Sequence, residues 1–236
     1  MRLKCIAILI TFGVISSSWT SYLSFNRVAM EMVTRTAKGG YTSKISARIY
    51  YSSDGKMTTY YDYPREYIIF NNAKGEIQVY NVKENTVIQE QNFLYSTETT
   101  QLYYFLQNSK SDLGLTDMGF VQQGINFDDG LIITEWLPPA NLAGELSKVE
   151  MVHEQNKPIY IAYYNKENTI GTKSYFYAYS SLAPGIDFPS SITQIQYLTP
   201  TDSTVTKTTY SNFSFDNQIN DSFFEYKIPD NAKTIN

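Results

Sequence analysis

Cysteine is almost missing from this 236-residue chain: Cys5 is the only one. It opens an apolar run, Cys5 to Ile15, that follows Arg2 and Lys4 and ends at Ser16-Ser17-Ser18. A charged start, an apolar stretch too short to span a bilayer and small residues at its end predict a secretory signal cleaved after Ser18. The exported chain, 19–236, then has no cysteine. That excludes disulfides, thiol catalysis and cysteine-based metal sites. Cys5 opens the apolar run instead of ending it, so no acyl anchor is expected.

Histidine is equally scarce, with His153 alone, which rules out zinc or haem held by several histidines. There is no G-x-S-x-G elbow for a serine nucleophile and no glycine-rich phosphate loop. Asp128-Asp129-Gly130 carries oxygens that calcium could use, but Asp-Gly before a strand reads as a turn. No pair of carboxylates stands out for glycoside hydrolysis. The sequence therefore predicts neither an enzyme nor a cofactor. Basic charge is also short: 19 Lys and Arg face 23 Asp and Glu, for a net charge of −4. Loss of Arg2 and Lys4 with the signal makes it −6, so no nucleic-acid footprint is present. No Pro/Gly-rich linker and no repeat divides the chain, and a single domain over 19–236 is expected.

What is abundant is aromatic: 21 tyrosines and 13 phenylalanines. They occur in β-branched, alternating runs. From Ile45 to Gln91 five short strands follow one another, separated by Ser52-Ser53-Asp54-Gly55, Pro64, Asn71-Asn72-Ala73-Lys74-Gly75 and Lys83-Glu84-Asn85. Connections this short require antiparallel neighbours, hence a meander. Within it Ile45, Ala47, Ile49 and Tyr51 share one face, and Ile77 and Val79 oppose Gln78 and Tyr80. Ahead of the meander, Ser24 reads as the cap of an amphipathic helix from Phe25 to about Lys38, ended by Gly39-Gly40.

Between Ser96 and Gln123 the period becomes helical. Leu102, Tyr103, Phe105 and Leu106 fall on one helix opened by Thr97 or Thr99. Ser111-Asp112 reads as the cap of a second, short helix carrying Leu113, Leu115, Met118 and Phe120. Strands then resume at 131–136, 146–153, 158–164, 172–179, 191–198 and 203–215, with a loop over 180–190. The expected fold is mainly β with a few helices: an antiparallel, half-open barrel of about eleven strands with helices as its lid or plug. With no catalytic group in view, apolar binding is the function left. A buried acyl chain gains roughly 0.8 kcal/mol per methylene, so affinity needs no catalytic group.

Two stretches carry a resemblance. TTYYDYPREYIIFNNAKGEIQVYNVKENTVI (58–88) and TYSNFSFDNQINDSFFEYKIPDNAKTI (209–235) resemble the corresponding strands and C-terminal ending of the periplasmic outer-membrane lipoprotein carrier family, of the LolA/LolB type. The order of signal, helix, strands, helical insertion and strands is also similar. The resemblance implies a soluble, monomeric periplasmic carrier that shields the acyl chains of lipoproteins in a hydrophobic cavity. It implies loading by an inner-membrane ABC-type release complex and delivery to an outer-membrane acceptor. The alternative is a cell-envelope sensory or interaction domain of the same fold. Ile45, Ala47, Ile49, Ile77 and Val79 are then expected to line the cavity, with Leu102, Phe105, Leu106, Leu115 and Met118 in the lid. Where the family places a lid-latching arginine before a proline, this chain has Tyr63, with Arg65 beyond Pro64.

Overall fold

The computed structural model describes residues 25–107, 111–199 and 201–235. The expected signal, 1–18, lies outside them. The first described element is not a helix but a twelve-residue strand, β1 (Arg27–Lys38). Val28 and Met30 alternate inward with half-buried Met32 and Thr34. Gly39 and Gly40, both at positive φ, make a two-residue turn that returns the chain as β2 (Tyr41–Ser52). The β-branched Val33, Thr34 and Thr36 favour the extended form, and the Gly-Gly pair supplies the φ angles that a tight hairpin needs. The same glycines that read as a helix stop are a hairpin turn.

The meander follows as β3 (Met57–Tyr63), β4 (Tyr67–Asn71), β5 (Glu76–Asn81) and β6 (Thr86–Gln91), each antiparallel to its predecessor. After two single 3-10 turns comes one short helix, α1 (Gln101–Gln107). The second expected helix is instead a series of turns over 111–119. Asp112 accepts hydrogen bonds from the backbone of Gly114 and Thr116 there, which opens a helix-like turn. Gly114 and Gly119, at φ +82 and +83, break it off.

Seven long or edge strands complete the chain before its C-terminal tail: β7 (Val121–Asp128), β8 (Leu131–Leu137), β9 (Leu146–Glu154), β10 (Lys157–Asn165), β11 (Ile170–Ala183), β12 (Ile186–Thr199) and β13 (Asp202–Phe215). Residues 180–190, expected as a loop, are the continuation of β11 and β12 across a turn at Pro184-Gly185. Asp129 and Gly130, both at positive φ, form the β7–β8 turn. A two-residue strand, β14 (Lys233–Thr234), ends the tail.

All fourteen strands form one open sheet in the order β14-β6-β5-β4-β3-β2-β1-β13-β12-β11-β10-β9-β8-β7. The expected half-open barrel of about eleven strands is thus a fully open sheet of fourteen. The three extra strands are β1, β7 and β14. The sheet is continuous because β1 pairs with both β2 and β13, joining the early meander to the later strands.

The sheet's two faces are covered differently. The inner face carries α1 and the turns after it. Its core contains Val28, Met30, Ile49, Tyr51, Val149, Met151, Ile161, Phe176 and Phe188, packed with Phe105, Leu106 and Leu115. The outer face of β2–β6 is covered by the tail. Tyr50 stacks on Phe223 at 4.5 Å, and Tyr226 lies against Tyr60, Phe70 and Tyr80. Asp216 holds the start of the tail by accepting from the backbone N–H groups of Asn26 and Arg27. Backbone bonds from Lys233 to Asn85 and from Ile235 to Val87 hold its end.

Candidate functional site

The inner face is the natural place for an apolar ligand. Strand alternation and register carry Ile45, Ala47 and Ile49 of β2 onto it. Ile49 pairs with Thr59, Thr59 with Ile69, Ile69 with Val79, and Val79 with Ile88. Ile77, one pair further along, faces the same way as Val79 because side chains alternate. The five apolar meander positions thus share one face. They are not equally buried. Ala47 and Ile49 are buried, Ile45, Ile77 and Val79 are partly exposed, and Ile88 is 36% exposed.

Over the centre of this face lies the insertion. The Phe105 ring sits edge-on to Phe176 at 5.3 Å and Phe188 at 5.9 Å. Leu106 and Leu115 are fully buried, and Leu102 packs against the same cluster. Gln107 donates to the Tyr51 hydroxyl from the end of α1. Thr97 fixes the entry by donating to the carbonyl of Gly55. The centre of the face is therefore filled by the protein's own side chains, and the insertion is a plug in this structure.

Two expected site residues fall elsewhere. Met118 is 47% exposed, since the glycine-broken turns around it form no helix face to turn it inward. Tyr63 is 53% exposed and is carried to the outer face. A bulge between Ser46 and Ala47 sets it opposite Ser46, which alternates away from Ala47. Arg65 is exposed and, among the described residues, makes no hydrogen bond or ion pair with α1. The arginine latch implied by the resemblance is thus not formed by this segment.

Space remains on both flanks of the plug. On the β7–β9 side a cavity of about 540 Å³ is lined by Ile132, Thr134, Trp136, His153, Thr116 and Gln122, among others. The His153 ring lies 2.8 Å from the Ser111 carbonyl through Nε2, and the Trp136 indole donates to Thr134. The first contact ties the plug's second half to β9, and the second fixes the indole within β8. A neighbouring cavity of about 470 Å³ runs under Tyr104, Phe105 and Leu113 towards Pro158 and Tyr179. On the other flank the strip Ile69, Val79 and Ile88 is only partly covered. Beside it Tyr210 and Tyr61 face each other closely enough to interact. Burial, reinforced by Tyr61, pushes the Tyr210 hydroxyl up to about 12. Both rings therefore stay neutral and act as apolar lining at ordinary pH. Among the described residues no group of three or more His, Cys, Asp or Glu is placed to hold a metal.

Sequence reasoning did not find the Trp136–His153 cavity. Its signal was alternation: Ile132, Thr134 and Trp136 point one way along β8, as do Met151 and His153 along β9.

An open sheet, antiparallel except where β14 joins β6 in parallel, with a helical plug on one face entered between strands six and seven, matches known structures over most of its length. The chain has a LolA-type fold. A LolA superfamily protein from Nitrosomonas europaea superposes with a TM-score of 0.54 at 13% identity, covering 85% of this chain and 90% of that one. A domain assigned as an outer membrane lipoprotein-sorting protein from Vibrio parahaemolyticus gives 0.57 at 13%, with coverage of 85% and 90%. A DUF1329 family protein from Desulfovibrio piger gives 0.58 at 18%, with coverage of 86% and 91%. No family model and no curated protein matches the sequence.

Proposed function

We propose that this protein is a non-enzymatic, exported carrier that shields the acyl chains of lipoproteins, or of another lipid, on the inner face of its sheet. The observation that carries this reading is the partly uncovered apolar strip of Ile69, Val79 and Ile88 beside the plug, in a LolA-type fold. Flank cavities of about 540 and 470 Å³ lie within the 300–1,000 Å³ common for ligand sites. An acyl chain entering a flank extends the strip's apolar contact, and displacing the plug lengthens the groove across Ala47, Ile49 and Phe176. Each methylene removed from water gains about 0.8 kcal/mol.

In this role the chain works in the periplasm, takes its cargo from an inner-membrane ABC-type release complex and passes it to an outer-membrane acceptor. The tight central packing favours one second reading, a cell-envelope sensory or interaction domain. In that reading lipid binds in the flanks, the plug stays in place, and no transport occurs.

The test is lipid extraction of the purified protein with mass spectrometry, followed by titration with a fluorescent fatty acid. Co-purified lipid and saturable binding support the proposal. Absence of both refutes it and its alternative together. Crosslinking to an acylated lipoprotein in the envelope then separates carrier from sensor.

A further inference from the structure

The outer face carries a second feature, independent of the acyl-chain reading. Arg35 of β1 lies directly opposite Lys44 of β2 on one side and Lys207 of β13 on the other. Three cations thus stand in one row across three neighbouring strands, which are spaced about 4.8 Å apart. Like charges directly opposite one another destabilise a sheet. Elsewhere on this face the chain relieves such charges: Arg48 pairs with Asp62 and Lys148 with Glu135. Among the described residues, Arg35, Lys44 and Lys207 form no ion pair with a carboxylate.

The same three side chains line a cavity of about 770 Å³ with Tyr63, Pro64, Thr36, Thr42, Ser43, Ala37 and Val205. Among the described residues no acidic side chain lines it. Arg35 and Lys44, with the Thr42 and Tyr63 hydroxyls, share this face of the sheet around the cavity, while Ala37, Val205 and Pro64 offer an apolar patch beside them; the Thr36 and Ser43 side chains alternate to the other face. Arginine's planar fork binds two oxygens of a tetrahedral oxyanion at once, and lysines add point charge. The Lys207 stem lines the cavity, while its ammonium rests over the Tyr177 ring of β11, 5.6 Å from its centre and on the side of β13 away from Arg35; a bound anion would draw it back over the cavity.

We propose that the Arg35–Lys44–Lys207 cavity is a binding site for a phosphate group or phosphate ester. The bound anion neutralises the row of like charges, and the apolar patch receives the organic part of an ester. The phosphate belongs either to a free solute or to an anionic lipid headgroup.

The experiment follows the thermal midpoint of the purified protein in inorganic phosphate and in sodium chloride of matched ionic strength. It includes Arg35→Gln and Lys207→Gln, both at exposed positions. Phosphate is expected to raise the wild-type midpoint beyond chloride, saturably, and each variant to lose most of that excess, with affinity down about tenfold. Without phosphate at low salt, Arg35→Gln is expected to melt no lower than wild type, because it removes repulsion. An equal response to phosphate and chloride, or an equal phosphate response in wild type and variants, overturns the site. Co-sedimentation with phosphatidylglycerol vesicles but not phosphatidylcholine vesicles, competed by phosphate, assigns the group to a lipid headgroup. Phosphate binding without sedimentation assigns it to a free solute. A failure of fatty-acid binding on the inner face leaves this outcome unchanged.

Discussion

Truncating Phe105 to alanine separates a movable plug from a permanent one. The ring is 5% exposed and contacts Phe176, Phe188 and, at 6.4 Å, Tyr179. Removing a buried phenylalanine costs about 3–5 kcal/mol, because the transfer energy of the ring and the contacts around the cavity are lost together. Most of these contacts join α1 to β11 and β12, so the loss falls on the closed position of the plug. If ligand must lift the plug, lowering that step by about 3 kcal/mol raises the open population about a hundredfold, at roughly 1.4 kcal/mol per tenfold. Apparent fatty-acid affinity then rises by up to that factor while global stability falls. Urea unfolding measures the first quantity, and a fluorescent fatty-acid titration, in buffer where the unfolded fraction is negligible, measures the second. Phe105→Ala that loses 3–5 kcal/mol but binds with unchanged or weaker affinity refutes plug displacement. Leu106→Ala, also fully buried, repeats the test without an aromatic ring.

Three further outcomes follow from named contacts. Stability is expected to fall between pH 10 and 12. The Tyr210 and Tyr163 hydroxyls, both pushed up to about 12 by burial, stay neutral when folded but ionise near 10 when unfolded. The favourable term is therefore complete below pH 10 and lost as pH rises through 12. Tyr210→Phe should flatten that fall by about 1–2 kcal/mol, and an unchanged slope in alkaline urea titrations contradicts the placement. Gly114→Ala should destabilise by at least about 2 kcal/mol in thermal melts, since its Cβ would stand 2.1 Å from the Tyr104 ring at φ +82; a neutral result shows that the turn relaxes freely. Phe223→Ala removes the ring stacked on Tyr50 and should cost about 2 kcal/mol while exposing apolar surface to a hydrophobic dye; no change in dye binding means the tail is not held there.

The strands of the meander were legible because each signal is local. Asn, Asp and Gly at the turns and alternation between them fix pairing and facing within a few residues, and Ile45, Ala47, Ile49, Ile77 and Val79 fall on one face as their alternation requires. The first helix was misread for the opposite reason. Val28, Met32 and Val33 fit a helical stripe, while Val28, Met30 and Met32 fit a strand face. Only pairing with β2 and β13 decides between them, and β13 arrives more than 160 residues later. The strand β7 was missed because its side chains are mostly exposed, so no buried face imposes a pattern on Val121–Asp128.

Composition and short-range pattern determined by themselves that this is a β-rich, aromatic chain with an apolar helical insertion, and which faces of its central strands are greasy. These properties depend on a period of two residues and on turn chemistry, which the sequence carries locally. Tertiary structure alone decided that the sheet is open and joined through β1, that Phe105 and Leu106 fill its centre, and that Tyr63 turns outward. It alone aligned Arg35, Lys44 and Lys207 in one row. Each of these depends on long-range register. A bulge of one residue at Ser46/Ala47 moves a side chain to the other face, and no local signal marks where that bulge will fall.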